Sequence, residues 1–255
     1  MTRVNDIYAY LCGIAPLGLQ MDFDNSGLQL GHCDAEVRRV LLALDVTGDV
    51  AEEAIASGAE LIVSHHPLIF TPLKRISDDS AEGAVLLRLL ENRIAVISMH
   101  TNLDIAEGGV NDVLMEALGA RTEGALDKDG CGRVGELPAE MSMGEFLSLC
   151  KRVLHTGALR YYDSGRAVRR LAVMGGAGGD AVWVAYEAGC DAYLTADIKY
   201  HQFLEAKELG MNLIDGDHFG TEDPVIPHLA KKLASAFPAV EFAVSKVHAQ
   251  VVSFF

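Results

Sequence analysis

Short apolar runs rich in Val, Ile and Leu recur along this chain, at 39–46, 61–64, 94–98, 170–174, 191–195, 211–214 and 241–247. Between them lie stretches whose apolar residues repeat with helical period, near 48–57, 80–91, 109–118, 142–154, 180–188, 199–209 and 225–236. A short run that is apolar at every position suits a strand covered on both faces. Such strands alternating with helices predict an α/β fold with mainly parallel sheets, because parallel neighbours need a crossover long enough to hold a helix. The rhythm breaks at 121–140, "RTEGALDKDGCGRVGELPAE", which is rich in glycine and charge and reads as a connection. The expectation is therefore two interlocked α/β halves, 1–125 and 126–255, with the C-terminal strand a candidate to return to the first half.

The chain has 255 residues, half of them hydrophobic, enough for cores in both halves. No apolar run is long enough to cross a bilayer. The segment at 7–19 is preceded by Asp6 and broken by Pro16, so it reads as a packed helix and its turn, not a signal core. Five scattered cysteines without a C-x-x-C pair fit a reducing cytoplasm and argue against a thiolate metal cluster. A net charge of −15 disfavours nucleic acid and anionic membrane as main partners.

Four segments share one internal offset. "AIASGAELIVSHH" ends at His66, "RLLENRIAVISMH" at His100, "AYEAGCDAYLTAD" at Asp197 and "AKELGMNLIDGDH" at His218. In each, a metal-capable side chain follows a Gly or Asn by eight residues. Gly and Asn close helices, and the step carries the chain along a strand to its carboxyl end, where open α/β sheets bind ligands. Three endpoints have a partner four residues on: His100 with Asp104, Asp197 with His201, His218 with Glu222. If a helical turn follows each strand, each pair shares one face. A single histidine beside a strand is ordinarily structural, but the joint pattern is not ordinary. His65, His66, His100, Asp104, His218 and Glu222 exceed the needs of one tetrahedral ion and suit two divalent ions ~3.5–4 Å apart, bridged by a carboxylate. Imidazole with carboxylate favours Zn, Fe, Mn, Ni or Co.

"DNSGLQLG" (24–31), "LIVSHHPLIF" (61–70), "SMHTNLD" (98–104), "YLTADIKYH" (193–201) and "DGDHFGTE" (215–222) together resemble the NIF-three-like family. Its members are also called dinuclear metal centre hexameric proteins, or GTP cyclohydrolase I type 2 homologues. The resemblance runs from about residue 5 to the C-terminus. It implies a two-domain α/β protomer, a toroidal homohexamer and a two-metal site in the cleft between the halves. By motif, it makes His65, His66, Asp104, His218 and Glu222 the metal ligands, with Glu222 as the bridge and His100 close behind Asp104. It also departs from the family pattern. Ala196 stands where glycine is usual, and "DGDHFGTE" differs from the usual Gly-His-Tyr form, changes that bear on the substrate pocket.

The activity implied is metal-assisted hydrolysis of a nucleotide or related small molecule, GTP being suggested by the family name, with His100 or His201 moving protons. The competing expectation is a non-catalytic metal carrier or scaffold ring, whose ligands would look the same. Three minor features complete the reading. "MGGAGGDA" (174–181) lies between a strand and a helix start and offers backbone N–H groups to a phosphate, or is only a tight turn. Asn25 is a candidate to line the cleft or to form a turn, and Cys150 lies on an apolar helix face and belongs to the core.

Overall fold

The N-terminal apolar segment is helix α1 (Val4–Ile14), which buries Val4, Ile7 and Leu11 at helical spacing. It ends ahead of Pro16, and a single 3-10 turn follows at Leu17–Leu19. The structure, a computed structural model, describes residues 1–253. The chain continues through β1 (Gly27–Leu30), β2 (Arg39–Ala43), α2 (Gly48–Ser57), β3 (Leu61–Ser64), α3 (Ala81–Glu91), β4 (Ala95–Ser98) and α4 (Thr101–Ile105). A second series follows: α5 (Val110–Ala117), β5 (Arg121–Ala125), β6 (Arg133–Met141), α6 (Met143–Val153), β7 (Arg160–Tyr162), β8 (Val168–Val173), α7 (Val182–Glu187), β9 (Ala192–Thr195), α8 (Tyr200–Leu209), β10 (Asn212–Asp215) and α9 (His218–Glu222). Last come α10 (Val225–Ala236) and β11 (Glu241–Val244).

Among the described residues the strands make two sheets. The first has the order β1-β4-β3-β2-β11. Its strands β4, β3, β2 and β11 are mutually parallel, and β1 is an antiparallel edge. The second has the order β5-β6-β8-β9-β10-β7, a parallel centre of β8, β9 and β10 flanked by antiparallel strands. Two compact units result: Met1–Ala106 with Ile226–Ala249, and Glu107–Val225 with the residues from Gln250. The boundary thus falls after Ala106 rather than after residue 125. The stretch 121–140 is not a connection but the β5–β6 hairpin, turned at Asp127, whose carboxylate accepts the Asp129 and Cys131 N–H groups. Its strand character is hidden because β5 is an edge strand, almost wholly exposed, with no apolar face to reveal it.

Continuous apolar runs in the parallel strands have a direct cause. Alternate residues enter different cores: Leu171, Leu194 and Ile214 pack with Phe146 and Cys150 of α6, whereas Ala172, Tyr193 and Leu213 pack with Ala185 of α7 and Ala206 of α8. In the first unit Leu41, Ile62 and Val96 pack with Val50 and Ala54 of α2 and Leu89 of α3. Gly58 and Gly210 close α2 and α8 in the left-handed conformation, at φ 69° and 64°. After α3 the left-handed residue is Arg93 (φ 56°), not Asn92, whose side chain instead donates to Arg88 O.

Candidate metal centre

In the first unit, strands β2, β3 and β4 end in register, with Ala43 beside Ser64 and Ser64 beside Ser98. The residues just beyond those ends therefore gather at one sheet edge, and they include Asp45, His65, His66 and His100. The three imidazoles cluster tilted or edge to face, with ring centroids 5.0 Å apart for His65–His66, 5.2 Å for His65–His100 and 5.6 Å for His66–His100. Each offers a ring nitrogen within 4.8 Å of the others, a spacing that could hold one ion. Asp104, on α4, brings Oδ1 to 3.6 Å from His65 Nε2.

Each ring is held at Nδ1. His65 Nδ1 lies 2.8 Å from Met99 O, His66 Nδ1 2.7 Å from Asp45 Oδ1, and His100 Nδ1 2.7 Å from Asp24 Oδ1. A ring whose Nδ1–H donates to such an acceptor carries its lone pair on Nε2. Asp24 is itself tightly held: it accepts from the Asn25 and Thr101 N–H groups, from the Ser26 and Thr101 hydroxyls and from His100. Burial alone would raise its pKa. The hydrogen bonds from His100 and Thr101 outweigh that and keep the carboxyl well below the usual carboxylate range. Asn25 bridges to the histidine loop, donating Nδ2 to Ile69 O at 2.6 Å.

In the second unit, β10 runs into α9, which carries His218 and Glu222 one turn apart. His218 Nε2 lies 3.2 Å from Glu222 Oε2, and Glu222 is buried. His218 Nδ1 lies 2.8 Å from Asp197 Oδ2. Asp197 (φ 54°) and Asp217 (φ 72°) both occupy the left-handed region, at the ends of β9 and β10. Asp217 caps α9 by accepting the Phe219 N–H. Buried Asp215 joins the two loops, accepting from Arg160, from Ile198 N and from Asp217 N.

The expected pairing of Asp197 with His201 is corrected by this geometry. The chain turns left-handed at Asp197 and α8 starts only at Tyr200, so no helical turn aligns the two side chains. Asp197 reaches His218 instead. His201 is exposed on the first turn of α8 and belongs to neither donor group among the described residues. In "MGGAGGDA" three of the glycine N–H groups bond within the fold. Gly175 N donates to Asn111 Oδ1, Gly176 N to Thr221 Oγ1 and Gly178 N to Thr195 Oγ1. The glycines serve close packing: a Cβ on Gly176 would overlap Glu222 Oε1 and come within 3.2 Å of His218 Nε2. Ala196 is buried, its N–H bonded to Gly176 O. Cys150 is core, as its helical position indicates.

Asp24 and Asp45 were not singled out by sequence reasoning, and Asp197 was read as a possible ligand paired with His201, not as the partner of His218. A signal existed for each. Asp45 and Asp197 end apolar runs as the histidines do, and Asp24 opens "DNSGLQLG".

Fold and donor groups define a class: a two-sheet α/β protein with histidine–carboxylate clusters, at the carboxyl ends of parallel strands, that could hold metal ions. Residues 2–251 match the family model Duf34/NIF3 (NGG1p interacting factor 3), and the chain belongs to that family. A Clostridium perfringens protein named GTP cyclohydrolase 1 type 2 homolog is 38% identical over 252 residues, covering 96% of each chain. A Clostridium acetobutylicum protein of the same name is 35% identical over 242 residues, 92% of this chain and 90% of that one. The crystal structure of a Bacillus cereus protein related to NIF3 superposes with a TM-score of 0.92 at 27% identity, covering 100% of this chain and 99% of the other. Among the described residues no helix is long and apolar enough to cross a membrane.

Proposed function

We propose that this protein is a divalent-metal-dependent hydrolase acting on a nucleotide or a related small molecule, as the name shared by its relatives suggests. The observation that carries the reading is the treatment of the imidazoles. His65, His66 and His218 each commit Nδ1 to a carbonyl or carboxylate oxygen, which fixes tautomer and ring orientation. Metal-ligating histidines are held in this way almost without exception, whereas a packing histidine has no need of a dedicated carboxylate.

The donors fit divalent ions. His65, His66 and Asp104 of the first unit, and His218 and Glu222 of the second, would hold such ions. Imidazole and carboxylate oxygen suit Zn, Fe, Mn, Ni or Co. When bound, such ions supply Lewis acidity and lower the pKa of water toward neutrality. The chain's own residues do the rest. Asp45 and Asp197 orient their histidines. His100, fixed by buried Asp24 and in ring contact with His65, is set to move a proton at Nε2. His201, exposed and outside both donor groups, receives no role. A toroidal homohexamer and a cytoplasmic setting belong to the same reading.

The test is turnover. Protein stripped and reloaded with Mn, Zn or Fe is assayed on GTP, phosphodiesters and cyclic amides. The reading expects hydrolysis of at least one, abolished by chelator and restored by metal. Fully loaded protein that turns over none of them would contradict it and leave a metal-binding protein without catalysis.

A further inference from the structure

We propose that Phe23 and Phe70 form a stacking platform for the planar heteroaromatic ring of a ligand. This rests on the functional reading above and specifies the substrate class. Single exposed hydrophobic side chains are ordinary on protein surfaces. These two are not scattered. Phe23 is 67% exposed and Phe70 46% exposed, yet their rings meet edge to face, with centroids 6.4 Å apart at 66°. Phe70 in turn meets His100 at 6.0 Å and 84°. A chain of rings therefore leads from the imidazole cluster outward through His100 to Phe70 and Phe23. Phenylalanine has no polar group to satisfy in water, so what an exposed pair of this kind offers a ligand is its rings.

Both loops are held before any ligand arrives. Asn25 Nδ2 donates to Ile69 O at 2.6 Å, and Gln29 Oε1 accepts Ile69 N at 3.2 Å and Asn25 Nδ2 at 3.3 Å. Preorganised aromatic rings bind planar partners with little ordering cost. Base–aromatic stacking is tolerant of ring identity and contributes ~1–3 kcal/mol per ring.

The experiment titrates metal-replete wild type, Phe23→Ala, Phe70→Ala and Phe70→Tyr with GTP, guanosine and inorganic triphosphate by calorimetry. Metal content and molar mass are followed alongside. Each alanine variant is expected to weaken GTP and guanosine by about tenfold, Phe70→Tyr to retain them, and triphosphate binding and metal content to stay unchanged. The proposal is overturned if the alanine variants bind GTP as wild type does, or if wild type binds GTP no better than triphosphate. It is equally overturned if the substitutions change the molar mass instead, because the rings then cover a second copy of the chain. Failure of the hydrolase reading appears separately, as GTP that binds through the rings and is never turned over.

Discussion

Replacing Asp197 separates what holds His218 from what holds the fold. The carboxylate lies 2.8 Å from His218 Nδ1, on a residue with φ 54°. The pair is 38% and 56% exposed on its two sides, so as an ion pair it contributes only ~0–1 kcal/mol to stability. Asn tolerates the left-handed backbone as Asp does. Gly relieves the strain there, but its freer unfolded chain offsets that by ~0.4–1 kcal/mol. Apo Asp197→Asn and Asp197→Gly should therefore melt close to wild type. Their metal affinities should not match it. An Asn oxygen still accepts the Nδ1–H but lacks the charge, whereas Gly provides neither. Loss of a carboxylate behind a ligating histidine weakens metal binding by ~10–100-fold. The predicted order is wild type, then Asn, then Gly, with Gly near the upper end of that range. Competitive titration against a chromophoric chelator, beside thermal melts of the apo proteins, reads both quantities. Unchanged affinity in both variants, or affinity that falls only in step with apo stability, would refute the orienting role.

Gly176→Ala should lower metal content, because its Cβ would displace Glu222 Oε1, and elemental analysis of the folded variant reads this directly. Glu53 anchors the chain after β11 by accepting from Ser245 Oγ and Lys246 N. Partial burial would raise its pKa, but these bonds lower it below the ordinary value. Its contribution is thus complete above the unfolded-state pKa of ~4.3 and is lost as pH falls through the lower folded value. Melting of Glu53→Gln should accordingly trail wild type at pH 7, and the gap should close as the pH is taken down through the lowered folded-state pKa. Burial pushes the Cys150 thiol up to about 12 and the Cys190 thiol up to about 11. Alkylation at pH 8 followed by mass spectrometry should label exposed Cys33 in the native protein and those two only after denaturation.

The parallel strands were legible in the sequence because both their faces are covered, which makes the runs at 39–46, 61–64, 94–98, 170–174, 191–195 and 211–214 apolar without alternation. Edge strands carry no such mark. β1 and β7 have four and three residues, β5 is almost wholly exposed, and none of the three was predicted. The donors were legible for a related reason. A strand end has no packing need for imidazole, so His65, His66, His100 and His218 stood out against their apolar runs. Asp24 and Asp45, which hold His100 and His66, did not, since an aspartate near a strand end is ordinary in sequence. Only the fold shows Asp24 and His100, 76 residues apart, in hydrogen-bond contact. Spacing failed at Asp197–His201 because an i, i+4 pair shares a face only within a helix, and a left-handed residue stands where the helix was assumed. At "MGGAGGDA" glycine permits close approach, and only the fold shows that Glu222 makes it at Gly176.

The central claim is that the histidines and carboxylates at these strand ends hold divalent ions, and metal stoichiometry across three proteins tests it most directly. Wild type, His66→Ala and Glu222→Ala are purified without chelator, reloaded with Mn or Zn, and analysed for bound metal per chain. The account predicts about two ions in wild type and a clear loss in both His66→Ala and Glu222→Ala. Wild type that stays near zero after reloading, or two substitutions from different units of which only one removes metal, would contradict it.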